Sequence, residues 1–170
     1  MNYLCRVCRY PKTRILQHNI LSLLATRERL PGEITPESAT QSCTYLGNEH
    51  QYGAEHAIDL DLDTYSWTCT RSDGTHWLQF KLDQVYCVEQ AQEYYDNGSA
   101  RHTWTCSNTD CSNCEGSECS DYSLTVSTKE TELYPVLDCK YGDTVKLQYR
   151  GRTLWVHEIS MTGEKGDIIS

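Results

Sequence analysis

The chain has 170 residues and a formal net charge of −9, which excludes the basic surface that nucleic-acid binders need to displace counterions from phosphates. Its length suits one domain with an appendage, and a module of about 130 residues can bury a real core. One phenylalanine stands against twelve tyrosines and four tryptophans, so that core has to draw on Trp, Tyr, Leu and Val.

Residues 1–37 read as a tail that carries at most a short helix. A signal peptide needs an unbroken apolar stretch, and Gln17, His18 and Asn19 interrupt the run between Leu16 and Ile20. Leu16, Ile20, Leu23 and Arg27 follow helical spacing until Pro31-Gly32 stops it. The segment is too short and too polar to span a membrane. Cys5 and Cys8 have zinc or redox spacing, but no second pair lies close by and no βαβ context surrounds them.

From residue 38 to the end, short apolar runs of period two are separated by Gly, Asn, Asp and Ser, the pattern of an all-β sandwich. Within residues 54–70, AEHAIDLDLDTYSWTCT, three carboxylates alternate at Asp59, Asp61 and Asp63, followed by hydroxyls at Thr64, Ser66 and Thr68. Such a hard-oxygen collection suits Ca2+, while the plain alternative is a solvated acidic turn. An EF-hand is excluded, because its Gly at position six would fall on Thr64 and its Glu at position twelve on Thr70.

Leu78, Phe80 and Leu82 then alternate with Trp77, Gln79 and Lys81, which predicts a strand with one core face. Residues 88–95, VEQAQEYY, read as a further strand that would carry Glu93 on the face of Ala91 and Tyr95, and the turn signal Asp96-Asn97-Gly98 follows. Asn97-Gly98-Ser99 is an acceptor triplet for N-glycosylation. Residues 106–119 hold four cysteines in a polar insert that cannot bury a core of its own, so cross-links are expected to replace burial. A zinc ion held by four thiolates is the competing reading, and the cysteine pairing stays open. Later strands are expected at Tyr122, Leu124 and Val126, at Val145, Leu147 and Tyr149, and at Leu154 with Val156.

The segments ATQSCTY at 39–45, AEHAID at 54–59, HWLQFKL at 76–82 and TLWVHEISMTGE at 153–164, in this order, resemble the discoidin or coagulation factor 5/8 type C superfamily and within it the fucolectin-like branch. The resemblance runs from residue 37 to residue 165 and implies a jelly-roll β-sandwich of the galactose-binding-like class. It further implies a Ca2+ beside the AID loop, with His56, Asp59, Asp61, Ser66, His157 and Glu158 as ligands, the two histidines through their main-chain carbonyls. A disulfide from Cys43 to Cys139 is carried over in the same way. Leu60 departs from the family, which has Gly after the Asp of AID.

The fucolectin sugar site is not inherited, since its His position falls near Cys69 and its Arg-x-Asp motif is replaced by YYDNGSARHTW. Arg101 and His102 could substitute, and Trp67 and Trp104 supply the aromatic platform that sugar sites combine with planar polar groups. No GxSxG or HExxH stands in the chain and the six histidines are scattered, so an enzyme is not expected. The leading expectation is an extracellular, Ca2+-binding, lectin-like module whose partner is a glycan or cell-surface glycoprotein. The alternative is a protein-interaction or receptor-ectodomain module that keeps the fold and metal but not the sugar site. An intracellular zinc protein built on the cysteine clusters is the third.

Overall fold

The structure, a computed structural model, describes residue 29 and residues 32–70, 74–129 and 138–166. The helical reading of the tail and the Cys5/Cys8 pair lie outside the described residues. In chain order the elements are β1 (Glu33–Ile34), β2 (Ser38–Gln41), a short helix α1 (Glu49–Tyr52), β3 (Ser66–Trp67), β4 (Thr75–Tyr94), β5 (Ala100–Thr105), β6 (Asn113–Gly116), β7 (Tyr122–Ser127), β8 (Lys140–Arg150), β9 (Trp155–Val156) and β10 (Glu158–Lys165). The pairing of β1 with β10 starts the sheet at Glu33, inside the stretch read from sequence as tail.

All pairings are antiparallel, and β4 belongs to two sets of neighbours. Its first half pairs with β2 and β8, the β8 pairing resuming at residues 86–88, and β8 in turn pairs with β7. Its second half lies between β10 and β5, with β1 and β6 at the outer edges. The register breaks between Lys81 and Tyr86, and such an irregularity lets one strand bend from one layer to the other. The two strands expected at residues 78–82 and 88–95 are thus one strand of 20 residues.

Alternation decides which side chains meet between the layers. Leu78, Phe80 and Leu82 of β4, Leu124 and Val126 of β7, and Val145 and Leu147 of β8 join Ala91, Trp104, Ile159 and Met161 from the other strand set in one buried cluster. The expected faces of residues 78–82, β7 and β8 are therefore the observed ones, save that Tyr149 is half-buried. At the end of β4, Ala91 and Glu93 are buried as expected, but Tyr94 is buried and Tyr95 exposed, because the strand stops at Tyr94. This is the all-antiparallel β architecture expected from the sequence.

The eight cysteines from Cys43 onward form four disulfides, Cys43–Cys69, Cys87–Cys139, Cys106–Cys111 and Cys114–Cys119. The Cys43–Cys139 bridge carried over from the family is corrected. Cys43 follows β2 and meets Cys69 just beyond β3, whereas Cys139 precedes Lys140, which stands opposite Val88, and so meets Cys87. Two short-range bridges hold the polar insert, which replaces the competing zinc reading.

Candidate functional site

The acidic loop is shaped by its own carboxylates. Asp59 Oδ1 accepts the Asp61 backbone N–H at 2.9 Å, and Asp61 Oδ1 accepts that of Asp63 at 3.0 Å. The Thr64 hydroxyl donates to Asp59 Oδ2 at 2.9 Å. These are Asx-type turns, the usual reason Asp recurs where a chain reverses. Leu60 takes the left-handed conformation at φ 65, so the position where the family has Gly demands a glycine-like backbone here too. Its N–H is fixed by Glu158 Oε2 at 3.0 Å, which ties the loop to the start of β10.

Of the six expected metal ligands, Asp59, Asp61 and His56 stand in or beside this loop, and Glu158 reaches it from β10. Glu158 is buried, as is Ser66, whose hydroxyl oxygen has no hydrogen-bond partner among the described residues. His157 Nδ1 donates to the Leu62 carbonyl at 3.0 Å, so its ring is turned to the loop backbone. The His56 ring lies between Asp59 Oδ2 and the His50 carbonyl, each at 3.0 Å. Burial alone would lower the His56 pKa, but the Asp59 carboxylate and the His50 carbonyl outweigh it and hold the ring above its ordinary value. No described group of three or more His, Cys, Asp or Glu side chains is gathered as a metal cage. Ca2+ does not require one, since hydroxyl and carbonyl oxygens complete its shell. The Ser66 hydroxyl, buried and without a partner among the described residues, is on β3 opposite Val156, two residues before Glu158, and an orphaned buried hydroxyl of this kind fits an oxygen ligand for a hard cation.

Beside the loop stands a cluster of aromatic rings. Trp67 stacks on Tyr45 at 3.7 Å between centroids and 12° between planes, and meets Tyr52 edge-on at 5.3 Å. Tyr65 touches Tyr52, Trp67, Trp155 and His157 at 5.7, 6.1, 5.9 and 5.4 Å. Polar bonds position the cluster: Trp67 Nε1 donates to Thr153 Oγ1 at 2.9 Å, and the Thr153 hydroxyl donates to the Thr68 carbonyl at 2.7 Å. The Leu154 N–H then donates to Thr68 Oγ1 at 2.8 Å, locking the β3 segment against the β9 segment.

Between α1 and the acidic loop this cluster opens into a groove of about 550 Å³. Tyr52 and Tyr65 form its apolar walls, and Asn48, His50, Gln51, His56, Asp63 and Thr64 supply polar edges. Asn48 caps α1, its side-chain oxygen accepting the Gln51 N–H at 3.3 Å. The Tyr52 phenol is pushed above its ordinary value by desolvation and by the neighbouring Tyr65. Aromatic faces beside an edge of amide, hydroxyl, imidazole and carboxylate groups match a ligand that has apolar faces and hydroxyl rims.

The sequence-derived ligand set is divided by the structure. Trp67 belongs to the aromatic cluster. Trp104 and His102 are interior residues, each 1% exposed, and present no surface to a ligand. Arg101 and His102 instead answer the anomalous Glu93, which is buried on β4. His102 Nδ1 meets Glu93 Oε2 at 2.6 Å, and Arg101 donates to Oε1 at 3.4 Å. The other His102 nitrogen meets the Ser117 carbonyl at 2.5 Å, fastening the cysteine-rich insert to β5. The Arg101 guanidinium also lies 5.7 Å from the Tyr95 and the Tyr122 ring centroids. Burial and the nearby Glu93 charge hold the Tyr122 phenol far above its usual range. The requirement to neutralise a buried carboxylate thus takes up the two residues assigned to sugar.

Sequence reasoning missed the groove residues of segment 45–52. The signal was the pair Tyr45 and Tyr52 around Asn48-x-x-Gln51, a helix-start pattern too short to stand out from its surroundings.

No family model and no curated protein matches this chain. Solved structures do. A selenomethionine-labelled mutant of chitosan-binding module 1 from a Paenibacillus sp. IK-5 chitosanase/glucanase is 13% identical, covers 78% of this chain and 98% of its own, and superposes with a TM-score of 0.51. A histidine mutant of the lectin binding domain of lectinolysin, complexed with Lewis b, is 14% identical over 82% and 99%, with a TM-score of 0.51. A serum f-lectin (fucolectin) from Morone saxatilis, striped bass, is 15% identical over 78% and 50%, with a TM-score of 0.50. At these identities the likeness establishes the galactose-binding-like fold.

Proposed function

We propose that this chain is an exported, non-catalytic carbohydrate-binding module that holds Ca2+ at the acidic loop and takes sugar in the groove between α1 and Tyr65. The observation that carries the reading is the groove itself, where Tyr52 and Tyr65 face polar side chains from α1 and the acidic loop. A sugar ring lays its apolar face on an aromatic wall and exchanges its hydroxyls with the polar edge. The chitosan and Lewis b named for the structural neighbours are carbohydrates, which supports the substrate class. Four disulfides favour an oxidising compartment, and no described helix is long and apolar enough to cross a membrane.

Asp59, Asp61, Ser66 and Glu158 would hold the ion with their oxygens, and the ion would brace the loop that forms one wall of the groove. His56 would transmit that bracing, since its ring bridges Asp59 and the end of α1. A ligand that binds only the native state adds about RT ln(1 + [L]/Kd), roughly 2.7 kcal/mol at a hundredfold excess. Thermal melts in millimolar Ca2+ should therefore exceed melts in EDTA, and Asp59→Ala should erase the difference. Equal midpoints for the native chain would refute the metal.

A glycan array probed at millimolar Ca2+ and again in EDTA tests the binding function. The expected result is a set of related sugars bound with Ca2+ and weakened without it. An array with no hits in either condition would turn the reading to the protein-interaction module.

A further inference from the structure

The turn between β4 and β5 carries Asn97-Gly98-Ser99, the one Asn-x-Ser/Thr triplet in the chain. Residues 95–100 are all exposed. Asn97 Oδ1 accepts the Ser99 backbone N–H at 3.0 Å and the Ser99 hydroxyl at 2.6 Å, while no described residue bonds its Nδ2. Gly98 supplies the left-handed step at φ 75, and the turn is closed by Gly98 N–H to the Tyr95 carbonyl at 3.0 Å and Tyr95 N–H to the Ser99 carbonyl at 2.9 Å.

We propose that Asn97 is an acceptor site for an N-linked oligosaccharide. In the transfer, Nδ2 forms a bond to the anomeric carbon of an oligosaccharide carried on a polyprenyl pyrophosphate. The bond from that carbon to the pyrophosphate oxygen breaks, its electron pair leaves with the polyprenyl pyrophosphate, and Nδ2 gives up one proton. The product amide keeps Oδ1, so both bonds from Ser99 survive attachment and the finished turn needs no rearrangement. Exposure leaves room for the glycan, and the central Gly meets the turn's need for positive φ.

The position adds a consequence. A Cβ placed on Gly98 would lie 3.3 Å from Leu62 Cδ1, so this turn abuts the acidic loop between Asp61 and Asp63. The oligosaccharide would therefore stand at the edge of the candidate calcium loop.

The inference rests on the export part of the proposed function, and the test supplies export directly. The full chain is placed behind a secretion signal in eukaryotic cells, and both secreted and lumenal protein are digested and mapped by mass spectrometry after peptide:N-glycosidase treatment in heavy-oxygen water. The expected result is heavy-labelled conversion of Asn97 to Asp in the native chain and in Ser99→Thr, with loss of the glycan in Ser99→Ala and in Asn97→Gln. Because Ser99→Thr preserves the turn, misfolding of Ser99→Ala cannot decide the matter alone. Unmodified Asn97 in both fractions of the native chain overturns the proposal and leaves the carbohydrate-binding reading standing, since no glycan-binding readout enters the test.

Discussion

Leu60 is held at φ 65 by the loop that the candidate metal site needs, a conformation that costs an L-residue roughly 1–2 kcal/mol. Leu60→Gly should therefore leave stability unchanged or raise it by up to about 1 kcal/mol, and Leu60→Ile should lower it by about 1 kcal/mol because β-branching tolerates left-handed backbone least. Urea midpoints at constant slope check both. At the same scale, Glu93 is the residue the sequence marked as out of place and whose solution it hid. Its partners lie eight and nine positions away across a hairpin, and only the register of β4 against β5 brings them to it. Glu93→Ala strands Arg101 and His102 and should cost about 3 kcal/mol. Arg101→Ala should weaken the fold and leave sugar affinity unchanged, the reverse of what a ligand-binding Arg would do.

Among the elements, β4 ties the layers together, and Lys81 on it pairs with Asp143 on β8. Burial alone would raise the Asp143 pKa, but the bonds from Lys81 and Thr144 outweigh it and hold the carboxyl below its ordinary range. A depressed folded-state pKa gives stability that is present above the unfolded value of about 3.9 and lost as pH falls through the folded value. Comparing Asp143→Asn with the native chain from strongly acid to neutral pH should show a gap under about 1 kcal/mol that opens as pH rises, because both side chains are partly exposed. The strands themselves were legible, since Leu78, Phe80, Leu124, Val126, Val145 and Leu147 alternate as a half-buried sheet requires. Their joining into one long β4 was not, because a bend at a register break leaves no periodic mark. Nor was α1, whose four residues carry too little pattern and whose role depends on contacts with Tyr65 and Trp67. The acidic loop was legible as chemistry, while Trp104 and His102 were misread because residue type does not reveal which side of a strand faces solvent.

Over the whole molecule, the disulfides differ in what they constrain. Cys87–Cys139 closes a sequence separation of 52 residues and Cys114–Cys119 one of 5. Loop-closure entropy assigns about 4 kcal/mol to the first and about 2 kcal/mol to the second. Replacing Cys87 and Cys139 together should lower the melting temperature more than replacing Cys114 and Cys119, and scanning calorimetry of the two paired variants checks the order. The groove combines rings from both sides of the acidic loop, Tyr52 before it and Tyr65 after it. Calorimetric titration of the strongest array sugar at millimolar Ca2+, into the native chain and into Tyr65→Ala, Tyr52→Ala and Arg101→Ala, measures the central claim most directly. The account predicts a loss of at least tenfold, about 1.4 kcal/mol, for each tyrosine variant and native affinity for Arg101→Ala. Native affinity in both tyrosine variants, or loss confined to Arg101→Ala, would contradict it.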